Sequence, residues 1–128
     1  MAETDECPFC DALVDGSRVK LTTQHWFVVR DNYPVSMGHS LIIPKRHQPD
    51  LFSVNRYEWE ALMYAIDQTR DELEQEFHPD GYNIGVNCGE AAGQTIPHLH
   101  IHVIPRYKGD VENPRGGIRN FKTPLVPY

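Results

Sequence analysis

Pro97-His98-Leu99-His100-Ile101-His102-Val103-Ile104-Pro105 is the stretch that decides how this chain is built. Aliphatic residues alternate with histidines and a proline closes each end, which is the pattern of a β-strand. Side chains alternate faces along a strand, so His98, His100 and His102 point one way while Leu99, Ile101 and Val103 point the other. Same-face neighbours stand about 6.5–7 Å apart, close enough for three imidazoles to work on one substrate or one ion. A single histidine on a strand is most often structural. Three at period two, opposed by an unbroken apolar face, mark a site of chemistry.

The elements around this strand follow from the same reasoning. Cys88 to Thr95 is a small-residue loop leading into it, preceded by a strand at Tyr82-Asn83-Ile84-Gly85-Val86-Asn87. Val19-Lys20-Leu21-Thr22 alternates weakly and suits an edge strand, Trp26-Phe27-Val28-Val29 is a continuous run of strand formers, and Gly38 to Pro44 is a third strand, buried on both faces at Leu41 to Ile43. These three follow one another through short connections, so they pair antiparallel. A long helix comes next. Asn55 is its N-cap, with Glu58 three residues on as in a capping box. Trp59, Leu62, Met63, Ile66, Leu73 and Phe77 make its apolar stripe, Glu58, Glu60, Asp67, Arg70, Glu74 and Gln75 its solvated face, and His78-Pro79-Asp80-Gly81 stops it. A helix packed on a mostly antiparallel sheet is an α+β arrangement. From Tyr107 the chain is rich in proline and glycine and reads as irregular, and no segment repeats.

At 128 residues the chain is one domain, large enough for a core without disulfide staples. No run of about 18 apolar residues exists, so no membrane span is expected. The acidic start, Met1 to Glu6, lacks the apolar core of a secretory signal, which leaves the cytoplasm as the default location. A formal charge of −6 argues against non-specific nucleic-acid binding. From Val103 onward, however, Arg106, Lys108, Arg115, Arg119 and Lys122 outnumber Asp110 and Glu112, so that end is a solvated tail or one that faces phosphate. Two of the three cysteines form Cys7-Pro8-Phe9-Cys10, in a cytosolic chain a metal half-site or a redox motif. A redox motif follows a strand and opens a helix. Here an acidic terminus precedes it, and Asp11 to Gly16 is too short a run before a glycine, so metal is the better reading. Cys88 stands alone as a small core or cleft residue.

Two chemistries suit the histidines. All three can bind zinc with water in a fourth position, or one can attack an electrophile while its neighbours position charge. The loop favours the second: Gly89 and Gly93 allow close backbone approach, while Asn87, Gln94 and Thr95 set neutral donors beside the imidazoles, as a phosphoryl centre needs. His98 to Ile104 resembles the His-φ-His-φ-His-φ-φ signature of the histidine triad family of nucleotide hydrolases and transferases. Asn87 to Thr95 is similar to that family's phosphate and ribose loop, and Pro34 to Lys45 to its proline-glycine-histidine strand entry. The resemblance covers residues 7 to 108. It implies about five strands with one long and one short helix.

The resemblance also implies roles. His100 attacks the α-phosphorus and forms a covalent nucleotidyl-histidine, His102 bonds phosphate oxygens and assists departure, and His39 is a hydrogen-bonded neighbour holding the tautomers. Asp31 binds the ribose hydroxyls, Asn87 adds a ribose or phosphate contact within the loop that includes Gly93, while Gln94 and Thr95 contact the phosphates or the bridging atom, and Phe9 and Phe27 wall the base. With no acid in or next to the strand, a backbone carbonyl is expected to hold the proton of His100. Some members carry a structural zinc, which here implies Cys7, Cys10, His47 and His98 as ligands, a closed Cys2His2 set. His25 and His78 match no family role and are expected in solvent. The implied substrate is an adenosine-type dinucleoside polyphosphate, which the segment Ile104 to Asp110 favours, or a nucleoside phosphoramidate. A phosphorylase and a binding module without turnover remain as alternatives. A homodimer is implied by resemblance alone.

Overall fold

A computed structural model describes residues 7–121, 126 and 127. Trp26–Arg30 (β2) and Ser40–Pro44 (β3) are the centre of the sheet, antiparallel and in unbroken register from Trp26 opposite Pro44 to Arg30 opposite Ser40. Every residue of β3 is buried, as its aliphatic run implies. Val19–Thr22 (β1) pairs with β2 and forms one edge. Beyond β3 lie Ile101–Arg106 (β5) and Gly81–Gly85 (β4), so the order is β1-β2-β3-β5-β4 with all neighbours antiparallel. The five-stranded α+β expectation holds. The strands are shorter than the sequence suggested: the third starts at Ser40, the fourth ends at Gly85, and the histidine strand enters its ladder at Ile101. Just upstream, the Leu99 N–H donates to the carbonyl of Gln48 at 2.8 Å, so the triad segment is held before the ladder begins.

The alternation sorts residues into two layers. Trp26, Val28, Ile42, Leu99, Ile101 and Val103 pack beneath the helix Arg56–Phe77 (α2), against its Ala65 and Leu73. Phe27, Val29, Leu41 and Ile43 point to the other side, where the helix Pro8–Asp15 (α1) covers them with Phe9 and Ala12. α2 opens with the capping box expected of Asn55 and Glu58, each main-chain N–H donating to the other side chain at 2.8 Å. It closes on His78, which takes the left-handed conformation (φ 53°). Gly38 lies against this last turn. A Cβ there would stand 2.9 Å from the Phe77 ring, so glycine lets the β2–β3 loop touch the helix.

Three expectations are corrected. Trp59 and Met63 are 58% and 61% exposed and flank the stripe of α2 rather than lying in it. Ala65 and Thr69 take the buried positions, and the Thr69 hydroxyl satisfies itself on the Ala65 carbonyl at 2.7 Å. Glu58, read as solvated, is 2% exposed, because Arg46 and the capped backbone hold its carboxylate. The CxxC does open a helix: Cys7 is the N-cap of α1, Pro8 opens it, and Gly16 ends it at φ 77°. After β5 the described chain holds one short turn, Gly117–Arg119, and is otherwise irregular as expected; Lys122 lies outside the described residues. Among the described residues no helix is long and apolar enough to cross a membrane.

Candidate active site and metal centre

β5 and the segment just before it bring the histidines to the face covered in part by α1, and His102, the one within β5, lies opposite Leu41 on β3 and Gly85 on β4. His98 and His100 are buried, and His102 is half-buried. The His100 Nδ1 lies 2.9 Å from the His98 carbonyl oxygen. An oxygen of that kind only accepts, so Nδ1 carries the proton and Nε2 keeps its lone pair. The expectation of a main-chain acceptor is met.

His39, at the entry to β3, fixes the next ring. The Val35 N–H donates to His39 Nδ1 at 3.1 Å, so the His39 proton is on Nε2. That N–H faces His102 Nδ1 at 2.9 Å, with Asp31 Oδ2 also within 3.4 Å. His102 therefore accepts at Nδ1 and presents Nε2–H to the cleft. Placing a proton on His102 Nδ1 would leave His39 needing acceptors at both nitrogens, which a neutral imidazole does not have. Burial acts in the same sense. It pushes His39 below its ordinary range and His102 down to about 4, with the neighbouring His100 and His39 adding to the effect on His102. One main-chain donor, two histidines and one main-chain acceptor thus set an imidazole with a free lone pair beside a neutral donor. The ring centres of His100 and His102 are 5.2 Å apart.

Other expected residues are distributed unevenly. Asp31 adjoins His39, and its second oxygen accepts from the Tyr33 N–H. Asn87 lines a cavity of about 330 Å³ together with His39 and His102. Gly93, at φ 96°, ends the short turn Glu90–Ala92. Gln94 uses its amide inside the loop, accepting from the Gly89 N–H and donating to the carbonyls of Pro49 and Ile96. With Thr95 it lines a separate hollow beside Pro49, so the structure does not bring the Gln94 amide onto the triad. The Phe9 ring meets that of His100 at a tilt of 54° with centres 4.9 Å apart, whereas Phe27 is fully buried under α1 and offers no ring face to a base. Arg106 is not a free cation either: Asp110 grips it through Nε and an Nη atom, and a third N–H goes to Asn83. His78 is exposed, but His25 is half-buried.

The first histidine turns to another centre. The Cys7, Cys10, His47 and His98 donor atoms all lie within 4.8 Å of one another. Cys7 Sγ is 3.2 Å from His98 Nδ1, and Cys10 Sγ is 3.2 Å from His47 Nδ1 and 3.5 Å from His98 Nδ1. Tetrahedral zinc with ordinary Zn–S and Zn–N bonds has sulfur–nitrogen edges of about 3.5 Å, so this set fits such an ion. The His98 Nε2–H donates to the Pro44 carbonyl at 3.1 Å, which leaves Nδ1 as the free nitrogen facing the thiols. Burial, first among its causes, holds His98 neutral down to about 4 and pushes the Cys10 thiol up to about 11. Asp31, His39 and His102 also cluster, but their ring nitrogens already face one another or Val35, so that group does not fit an ion. The three histidines fall into different sites, and the reading that gives all of them to one metal has no geometric support. The main-chain groups of Val35, Pro44 and His98 that fix the tautomers have no signature in a sequence.

A family model described as the HIT domain matches residues 14–109. The bis(5′-adenosyl)-triphosphatase of Dictyostelium discoideum is 36% identical over 101 residues, covering 79% of this chain and 68% of its own. A crystal structure of a HIT family protein from Bacillus anthracis superposes with a TM-score of 0.74 at 34% identity, covering 83% of this chain and 77% of the other. That of a zinc-bound histidine triad family protein from Mycobacterium smegmatis gives 0.73 at 32% identity, covering 84% and 79%.

Proposed function

The chain belongs to the HIT domain family, and on that footing we propose that it is a nucleotidyl hydrolase that cleaves dinucleoside polyphosphates at an α-phosphate through His100. The observation that carries this is the fixed pair of tautomers. With Nδ1–H on the His98 carbonyl, His100 Nε2 attacks the phosphorus. A P–N bond forms, the P–O bond to the rest of the phosphate chain breaks, and its electron pair leaves on that oxygen. Water then adds to the phosphorus and gives up a proton to solvent, the P–N bond breaks, and the pair returns to Nε2.

His102 donates Nε2–H to phosphate oxygens throughout. As a neutral ring locked by His39 it is a hydrogen-bond donor rather than an acid, which suits a leaving phosphate. A phosphate departs as an anion, whereas an amine departing from a phosphoramidate needs a full proton. Asp31, beside His39, would take the ribose hydroxyls, and Asn87, which shares a hollow with His39 and His102, the phosphate or ribose. An adenosine-type substrate agrees with the D. discoideum relative.

Cys7, Cys10, His47 and His98 would hold a structural zinc, which ties α1 to the triad segment and takes no part in the chemistry. The M. smegmatis relative, described as zinc-bound, supports that reading. Trp59 and Met63 leave apolar surface on α2, in keeping with a homodimer. The test is turnover of diadenosine triphosphate and of adenosine phosphoramidate, each with and without phosphate. The first is hydrolysed faster, phosphate changes neither product, and His100→Ala stops turnover while nucleotide binding survives. Full turnover by His100→Ala would remove the nucleophile assignment.

A further inference from the structure

The loop between β2 and β3 carries the main-chain N–H on which the His39 tautomer depends, yet its side chains do not hold it in place. Val35 is 72% and Met37 65% exposed, and Tyr33 and Pro34 also stand in solvent, so burial of apolar surface does not fix this segment. Its two ends are secured. The Asp31 N–H donates to the His39 carbonyl at 2.9 Å, and Gly38 lies against the Phe77 ring. Between these points the Val35 N–H has to stay aimed at His39 Nδ1. An exposed loop with no packing of its own opens readily and turns its amides to water.

Two hydroxyls tie it down, one from each side. Ser36 Oγ donates to the Pro105 carbonyl at 2.6 Å, and Tyr107 Oη donates back to the Met37 carbonyl at 2.8 Å. The first contact has a cause in the sheet. Carbonyls alternate sides along a strand. That of Arg106 accepts from the Asp80 N–H on the β4 side, so that of Pro105 faces the other way. β3 has ended there, since its ladder with β5 stops at Ser40 opposite Val103. Among the described residues no strand takes its place, and Pro105 is buried, so its carbonyl needs a donor from elsewhere. Ser36 supplies it. The Ser36 carbonyl in turn accepts from the His39 N–H at 3.1 Å, so this one residue is bonded to β5 by its side chain and to His39 by its main chain. Tyr107, just past the end of β5, reaches the loop from an anchored backbone, for its own N–H donates to Asp110 at 3.0 Å.

We propose that Ser36 and Tyr107 are positioning residues: their hydroxyls clamp the β2–β3 loop to the triad strand, hold the Val35 N–H on His39, and so keep His102 in its Nε2–H form. The inference rests on the hydrolase reading and adds to it the source of the tautomer that reading requires. Both hydroxyls are spent on carbonyls, not on reacting groups. Ser36 adjoins the Val35 donor, whereas His39 and His102 stand on the sheet. A loop that lifts away from β5 therefore takes its amide off His39 while the two rings remain face to face. The opposite arrangement then opens, with the His39 proton on Nδ1 and His102 donating Nδ1–H to His39 Nε2, and His102 no longer offers a proton to phosphate.

Ser36→Ala and Tyr107→Phe each remove one oxygen and leave every carbon of the side chain, and the two are combined in a double variant. Nitrogen NMR of the unliganded protein reads the tautomers directly. The double variant shows a second, Nδ1–H form of the His102 ring that wild type lacks, and Ser36→Thr, which keeps the hydroxyl, does not. In single turnover of diadenosine triphosphate the double variant is about two- to tenfold slower, the range of one net hydrogen bond, while AMP affinity stays within about twofold. In a His39→Leu background the same pair of changes slows cleavage by less than about 1.5-fold, because the clamp acts through His39. A His102 ring that keeps one tautomer in the double variant overturns the proposal, and so does an equal loss of rate with and without His39, which marks a general loosening of the fold. A second tautomer in a chain that cleaves no nucleotide would leave the clamp standing and end the hydrolase reading instead.

Discussion

Replacing His39 by leucine tests the tautomer relay at its middle. The substitution removes two hydrogen bonds, from the Val35 N–H at 3.1 Å and to His102 Nδ1 at 2.9 Å. The Val35 donor lies on a half-open loop and can turn to water. His102 loses the one hydrogen bond that, among the described residues, dictates its tautomer. One net hydrogen bond between such groups contributes about 0.5–1.5 kcal/mol. If that energy serves to hold Nε2–H toward the transition state, the rate falls about two- to tenfold, since 1.36 kcal/mol is one decade. Affinity for AMP should barely move, because His39 itself is 4% exposed and meets the substrate through His102. His39→Gln provides the control, for its amide nitrogen can still donate toward His102 while its oxygen accepts from Val35. Single-turnover cleavage of diadenosine triphosphate is the assay, with nitrogen NMR of the His102 ring reporting the tautomer directly. The expected order is wild type, then glutamine, then leucine. A leucine variant as fast as wild type, or a glutamine variant as slow as leucine, refutes the relay, because one lost hydrogen bond costs at least about twofold.

Two further outcomes follow from the buried histidines and the thiols. Zinc should survive exhaustive dialysis at about one ion per chain, and Cys7→Ser combined with Cys10→Ser should lower the melting temperature more than kcat; a metal content below about 0.5 per chain would falsify the site. The pH dependence has a definite sign: with His102 depressed from 6.5 to about 4 in the folded state and His39 shifted the same way, the unfolded chain takes up protons first. Stability is complete above about pH 6.5 and drains away as pH falls toward 4, so a melting temperature that stays flat across that window contradicts the neutral, buried pair.

The parts of the molecule legible in the sequence are those written as a period. His98, His100 and His102 sort from Leu99, Ile101 and Val103 because a strand has no other way to present them, and Asn55 with Glu58 marks a helix start by local chemistry alone. Elsewhere the determinant lies in a distant contact. α1 forms because the sheet buries Phe9 and Ala12, a stabilisation that an isolated eight-residue segment does not show. Trp59 and Met63 fit helical spacing as well as Ala65 does, and only the closeness of α2 to the sheet chooses the small residue. Gln94 sits beside the histidines in sequence but spends its amide on the loop. Arg106 looked available to phosphates until Asp110, four residues on and outside any helix, closed on it. Family likeness pointed to His100 and to the partners of a thiol pair that its own spacing marks, yet the atoms that set the ring tautomers are amides and carbonyls common to every residue.

His98 occupies both centres at once. Its ring faces the cysteines, and its carbonyl oxygen holds the proton of His100. A point mutation can abolish the first contact but has no means of deleting the second, since every one of the twenty amino acids brings the same oxygen. The protonation of the proposed nucleophile is therefore shielded from ordinary genetic drift, while the proposed zinc contact of the same residue is free to be lost. Descendants of this chain can shed the thiols and the ring at position 98 and still inherit a correctly poised His100, provided the strand keeps its course.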